Sequence, residues 1–325
     1  MGDWSGIIGC AKRTLQSRYT PATTRLYSAT RSITRVASLK NWDLEQFRQQ
    51  AFVPQTPLCL PTSSVNTPPA CTKWFNGRQD EDPSSTGVRQ HASTMNLSFW
   101  QQYASTIVPL EITSQNPNDK STKFERVEAP LELLLRQINH PSSSKTSIYL
   151  AQQDLRDLPE PLQSDLPTPD LVATAGRGDL YSSSLWLGKA PTYTPLHRDP
   201  NPNLFMQLAG TKAIRLFRPE AGNAIFEHVQ SLINASHQKG YPKTSESRVS
   251  AAFRGEEMMQ GQERALLHDL IWADASSPAY QEGIQRHAYE AILGPAHAMF
   301  IPQGWWHTVK GIGAGVTASA NWWFR

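Results

Sequence analysis

Three cysteines in 325 residues, Cys10, Cys59 and Cys71, are too few and too scattered for a disulfide framework or a zinc cluster, and read as ordinary reduced thiols. No run approaches the ~20 apolar residues that a membrane helix needs, and no internal repeat is visible. Charge is sparse as well: 18% of residues are Asp, Glu, Lys or Arg, with a net +3, which implies no strongly basic face for nucleic acid. Acid is missing altogether between Asp3 and Asp43. Residues 1–42 hold Lys12, Arg13, Arg18, Arg25, Arg31, Arg35 and Lys40 against Asp3, a balance of +6. The other 283 residues therefore sum to −3, the difference between the chain's +3 and the segment's +6. Spaced arginines without acids, among Ser, Thr and Ala, are the composition of a mitochondrial transit peptide. A basic tail on a cytoplasmic or nuclear protein is the competing reading.

What is present points to a loop-rich β protein: 24 prolines, 10 tryptophans and 39% hydrophobic residues. The length suffices for a substantial core. Helical spacing is expected over 43–52 with Asn41 as N-cap, over 97–108, and over 129–138, where Leu131, Leu134, Leu135 and Ile138 form an apolar stripe. Residues 76–93 read as a loop. From Ser182 onward short strands are expected at 184–188, 203–208, 212–217, 298–302, 307–310 and 315–323. A polar insertion over about 221–287 interrupts them, with its best helix at 256–270. The domain boundaries that follow are a tail over 1–42, a helical and extended region over 43–145, and a β domain over 146–325.

One pair of residues carries chemistry. In Pro195-Leu196-His197-Arg198-Asp199, His197 and Asp199 stand at i and i+2, which on a strand face the same way. An imidazole and a carboxylate so placed bind one metal ion side by side. A histidine from a distant strand would complete a 2-His-1-carboxylate set with open positions on Fe(II). Taken alone, a His-x-Asp is weak evidence, since most such pairs are surface turns or satisfied polar contacts.

The surrounding run Tyr193-Thr194-Pro195-Leu196-His197-Arg198-Asp199-Pro200-Asn201-Pro202-Asn203-Leu204-Phe205 resembles the metal-binding strands of the Jumonji C oxygenases, in particular the small, cupin-like hydroxylase branch. Met299-Phe300-Ile301-Pro302-Gln303-Gly304-Trp305-Trp306-His307 resembles the strand and turn before that family's third ligand, and Asn321-Trp322-Trp323-Phe324 its closing strand. Tyr149-Leu150-Ala151-Gln152 and Ser184-Leu185-Trp186-Leu187-Gly188 match two earlier signatures in order.

The resemblance implies a mainly β fold: a double-stranded β-helix, or jelly-roll cupin-like barrel, with flanking N-terminal helices and a helical insertion. It implies Fe(II) held by His197, Asp199 and His307. It also implies 2-oxoglutarate as cosubstrate, met by Lys212, Thr194, Tyr149 and Asn203. Phe205 and Trp186 are read as core aromatics, and Trp305 and Trp306 as packing around the third ligand. Gly294-Pro295-Ala296-His297-Ala298 departs from the family's Gly-acid turn, and His297 is expected to point away from the metal. Ala320 stands where the asparaginyl hydroxylase has a polar residue, leaving water or Asn321 for the contact near iron. The activity implied is hydroxylation of a protein or peptide side chain. Alternatives are a tRNA or small-molecule hydroxylase, a lysine or arginine demethylase, and a non-catalytic cupin-like binding protein. No Cys-rich module of the chromatin demethylases is visible, which favours hydroxylation. No membrane partner is expected, and the oligomeric state is left open, a homodimer included.

Overall fold

Two strands buried on both faces organise the molecule, because alternate side chains of each serve different cores. The computed structural model describes residues 33–79, 91–115, 122–139, 146–237, 256–273 and 284–325. Its strands are β1 (Thr34–Arg35), β2 (Leu58–Leu60), β3 (Phe75–Gln79), β4 (His91–Met95), β5 (Ile107–Gln115), β6 (Thr122–Pro130), β7 (Thr146–Asp154) and β8 (Leu180–Lys189). They continue with β9 (Thr192–Arg198), β10 (Asn203–Ala209), β11 (Thr211–Phe217), β12 (Tyr289–Leu293), β13 (Ala298–Ile301), β14 (Trp306–Ile312) and β15 (Val316–Phe324). One sheet runs β1-β12-β11-β14-β9 and a larger one runs β2-β13-β10-β15-β8-β7-β5-β6. The expected β-helical barrel is these two sheets facing each other.

Along β10, Leu204, Met206 and Leu208 join the outer core of the larger sheet, with Phe47, Trp74, Trp100 and Leu134. Phe205, between them, joins Ile214 and Leu216 of β11 in the barrel interior. Phe217 turns outward to a third core built with Phe226, Val229, Leu267 and Ile271 of the helices Pro219–His237 and Gly261–Trp272. Arg215 also faces outward, bonded to Glu290 at 2.8 Å and lying 4.4 Å over the Trp272 ring. These contacts fasten the insertion to the smaller sheet.

The barrel has a closed and an open end. Ser93 of β4 pairs with Gly315, and its Oγ accepts from the Gly210 amide at 2.9 Å, so the β3–β4 hairpin lies across one end. At the other, β9 ends at Arg198 and β14 begins at Trp306.

Several expectations need correction. Residues 97–108 are not one helix: the helix stops at Trp100, one tight turn follows to Tyr103, and β5 starts at Ile107. The β-branched run beyond it and Pro109 favour extended chain, and β5 is paired on both edges. The stripe at 131–138 is helical only from Glu132, because β6 extends to Pro130. Residues 76–93 contribute β3 and β4 rather than a simple loop, and 80–90 lie outside the described residues. Asp43, not Asn41, caps the first helix, its Oδ1 accepting from the Gln46 amide at 2.8 Å. The insertion begins earlier than 221, with the helix Pro219–His237, and the helix expected at 256–270 is a short turn followed by Gly261–Trp272. The boundary at residue 42 falls within folded chain: Thr34 and Arg35 pair with β12, and Leu39 is buried. The segment before Ile33, where the transit-peptide reading mainly rests, lies outside the described residues.

Candidate metal centre

Antiparallel pairing of β9 with β14 sets His197 directly opposite His307. Asp199, just past the end of β9, keeps the strand's alternation and faces the same way. One donor atom from each of the three lies within 4.8 Å of the others. The imidazole rings are 4.1 Å apart between centroids, and His307 Nε2 is 3.7 Å from Asp199 Oδ2.

Each imidazole is oriented by its own backbone. Nδ1 of His197 lies 2.9 Å from the Pro195 carbonyl and Nδ1 of His307 lies 3.1 Å from the Trp305 carbonyl. A carbonyl only accepts, so Nδ1 carries the proton in both rings and Nε2 keeps its lone pair for a metal. Burial holds His307 below its usual pKa, aided by neighbouring His197 and opposed by Asp199. Burial pushes the Asp199 carboxyl up. The facing histidines and the bonds from Trp323 and Asn203 outweigh it and hold the carboxyl below its ordinary value. Trp323 Nε1 and Asn203 Nδ2 both donate to Oδ2, at 2.8 and 2.9 Å. Two imidazoles anchored through Nδ1 and a carboxylate, with one carboxylate oxygen unclaimed by these donors, are the donor set that suits Fe(II).

The pocket beside these ligands is a slot with about 40 Å³ of free space, room for about three water-sized centres. Thr194, Tyr149, Asn203 and Lys212, all expected from the sequence, line it with the three ligands. Lys212 is 4% exposed, donates to Ser319 Oγ at 2.6 Å and lies 3.3 Å from Tyr149 Oη. Burial drops its pKa to about 7. A buried lysine amino group bonded to two hydroxyls, with no carboxylate bonded to it among the described residues, fits the distal carboxylate of 2-oxoglutarate.

Some placements differ from expectation. Asn203 directs its amide to Asp199 and accepts from Asn321 Nδ2 at 2.9 Å, so it positions a ligand. Phe205 and Trp186 line the pocket as well as belonging to the barrel wall. Ala320 packs in the outer core, so the inward polar residues of β15 are its neighbours Ser319 and Asn321. His297 bonds the Gly294 carbonyl at 3.3 Å and does not join the metal cluster, as expected. Trp306 stacks on Phe226, and Trp305 donates to the Gln55 carbonyl at 3.1 Å, closing the wall beside His307. Ser319 and Trp323 were missed as site residues. The alternation of β15 from Asn321 would have pointed to both.

The family comparison rests on most of the chain: residues 44–325 match the cupin-like domain. The chain belongs to the cupin-like domain family. Among curated relatives, this cupin-like chain is 27% identical over 295 residues to "Lysine-specific demethylase JMJ30" of Arabidopsis thaliana, covering 90% of this chain and 56% of the relative. It is 25% identical over 297 residues to "Lysine-specific demethylase 8" of Xenopus tropicalis, covering 90% and 53%. Likewise, it is 25% identical over 289 residues to "Jumonji C domain-containing protein 5" of Drosophila melanogaster, covering 86% and 57%. The cupin-like chain thus spans about half the length of the curated relatives it matches. The Jumonji C resemblance read from the sequence agrees with these names. Among the described residues no helix is long and apolar enough to cross a membrane.

Proposed function

We propose that this chain is an Fe(II)- and 2-oxoglutarate-dependent oxygenase that hydroxylates a protein side chain. One observation carries the reading: a single pocket joins a three-ligand metal set to a buried lysine that has hydroxyl partners and, among the described residues, no carboxylate partner. His197 and His307 would hold iron through Nε2 and Asp199 through a carboxylate oxygen. Lys212, Tyr149, Ser319 and Thr194 would hold the cosubstrate. Bound together, iron and 2-oxoglutarate supply O₂ activation coupled to decarboxylation, giving succinate. The chain's own part is to orient both partners and to keep water from the reacting centre with Trp305, Trp323 and Phe205.

Demethylation is the second reading, favoured by the names of two relatives. It shares the hydroxylation step, since hydroxylation of an N-methyl carbon releases formaldehyde. Succinate formed from 2-oxoglutarate, dependent on iron and lost in His197→Ala, is the expected result. Iron binding without succinate would leave a cupin-like binding protein. Formaldehyde release from a methylated peptide separates demethylation from stable hydroxylation.

A further inference from the structure

A second cavity opens at the rim of the metal-bearing end, with about 160 Å³ of free space. Thr34, Arg218, Glu220, Arg286, His287 and Tyr289 line it. Its distance from the metal centre follows from the β-ladder. Tyr289, Leu216, His307 and His197 stand side by side across β12, β11, β14 and β9. Tyr289 is therefore two strand spacings, about 10 Å, from His307. Opposed residues of a ladder share a face, so the Tyr289 ring starts from the inner face that carries His307. It packs edge-on to Trp305, two residues before that ligand, at 5.4 Å.

Arg218 follows the last residue of β11 and lies over both rings, 5.7 Å from Tyr289 and 5.3 Å from Trp305. It also donates to Tyr289 Oη at 3.2 Å. Stacking on two aromatic faces holds the guanidinium plane while leaving other N–H groups of its fork for a ligand. Arg286 lines the same cavity and donates to His287 Nε2 at 3.1 Å. Neither arginine has a carboxylate partner among the described residues, although Glu220 shares the cavity wall. Two guanidinium groups on one cavity wall, neither bonded to a carboxylate among the described residues, call for an anion. Glu220 on the wall favours a monoanion over a phosphate dianion.

An extended chain covers 10 Å in about three residues. We infer that this cavity takes the carboxylate of an Asp or Glu in the polypeptide substrate, about three residues from the side chain presented to the metal. The inference rests on the protein-hydroxylase reading and adds a sequence preference to it. Full-length chain loaded with Mn(II) and 2-oxoglutarate is immobilised and exposed to a position-randomised peptide library, and retained peptides are sequenced by mass spectrometry. Asp and Glu should be enriched about tenfold at one position, the effect of one charge-assisted hydrogen-bonded pair. Arg218→Glu/Arg286→Glu should exchange that preference for Lys and Arg. Both side chains are exposed, and an unchanged Tm checks that the variant is folded. If Tm falls, Arg286→Glu alone carries the comparison. Absence of an acidic preference, a preference unmoved by charge reversal, or retention of phosphopeptides or single-stranded RNA instead would overturn the inference. Succinate formation by the wild-type chain is measured separately, so failure of the oxygenase reading is distinguishable from failure of this one.

Discussion

His197 and His307 each anchor Nδ1 on the carbonyl two residues back, and Asp199 takes two donors on one oxygen. The ligands are thus oriented by the chain itself, and loss of an orienting bond should show as loss of metal. Trp323→Phe removes one donor to Asp199 and should weaken Co(II) or Fe(II) binding about 10–100-fold, read by metal titration. His197→Ala should abolish binding, and wild-type affinity in it would sink the metal assignment. Lys212 makes a pH prediction. With a folded pKa of about 7 against 10.5 for the free side chain, the unfolded chain holds more protons between those values. Stability should therefore rise with pH across that window. Cosubstrate binding runs the other way. Above pH 7 the neutral amine must take up a proton to meet a carboxylate, so affinity should fall by up to about tenfold per pH unit. Calorimetry at pH 8 in two buffers of different ionisation enthalpy should detect proton uptake, absent in Lys212→Met. Uptake persisting in that variant would place the distal carboxylate elsewhere.

At the scale of elements, the site depends on how closely strands approach. Tyr149 of β7 lies over Gly188 of β8, where an added Cβ would sit 2.3 Å from a ring carbon. Gly188→Ala should push the ring from its place beside Lys212, raise the KM for 2-oxoglutarate, and cost about 1–3 kcal/mol of stability from overpacking. Parallel measurements of KM and Tm test both effects. The turn before β13 holds another lever. Ala296 has φ 62°, a left-handed conformation that an L side chain adopts at a cost. Ala296→Gly should stabilise the chain by about 1 kcal/mol, seen as a higher Tm, and a lower Tm would mean that its buried methyl contributes more than the strain.

For the whole molecule, the covered length of sheet matters more than the tail's charge. β1 pairs with β12 and Leu39 is buried in the outer core, so the fold starts before residue 42. Extending a truncation from residue 32 to residue 40 should cost about 2–5 kcal/mol, the range for losing a buried leucine. Equal melting temperatures for the two truncations would show that this segment contributes nothing. Mitochondrial import remains a proposal resting on the basic, acid-free segment. Fusing residues 1–32 to a fluorescent protein and following its location tests it, and a cytosolic or nuclear fusion would remove it.

Residue order alone determined the parts that local chemistry dictates. The i, i+2 spacing of His197 and Asp199 fixed their common face, and short strand-forming runs punctuated by Gly and Pro marked β10, β11, β13, β14 and β15 within a residue or two at most ends. The motif resemblance supplied His307, Lys212, Thr194 and Tyr149, and all of them line one pocket. Only the tertiary structure decided the rest. Strand β6 is exposed along much of its length, β5 is mostly half-buried, and neither shows a clean alternating pattern. Their extended form comes from pairing with each other and with β7, which no local window reports. Ser319 became a partner of Lys212, and Trp323 of Asp199, across 107 and 124 residues of chain. Arg218 and Arg286 meet at one cavity because the insertion between β11 and β12 returns its end to the rim it left. Such contacts depend on sheet register and closure, which set distances between residues far apart in sequence.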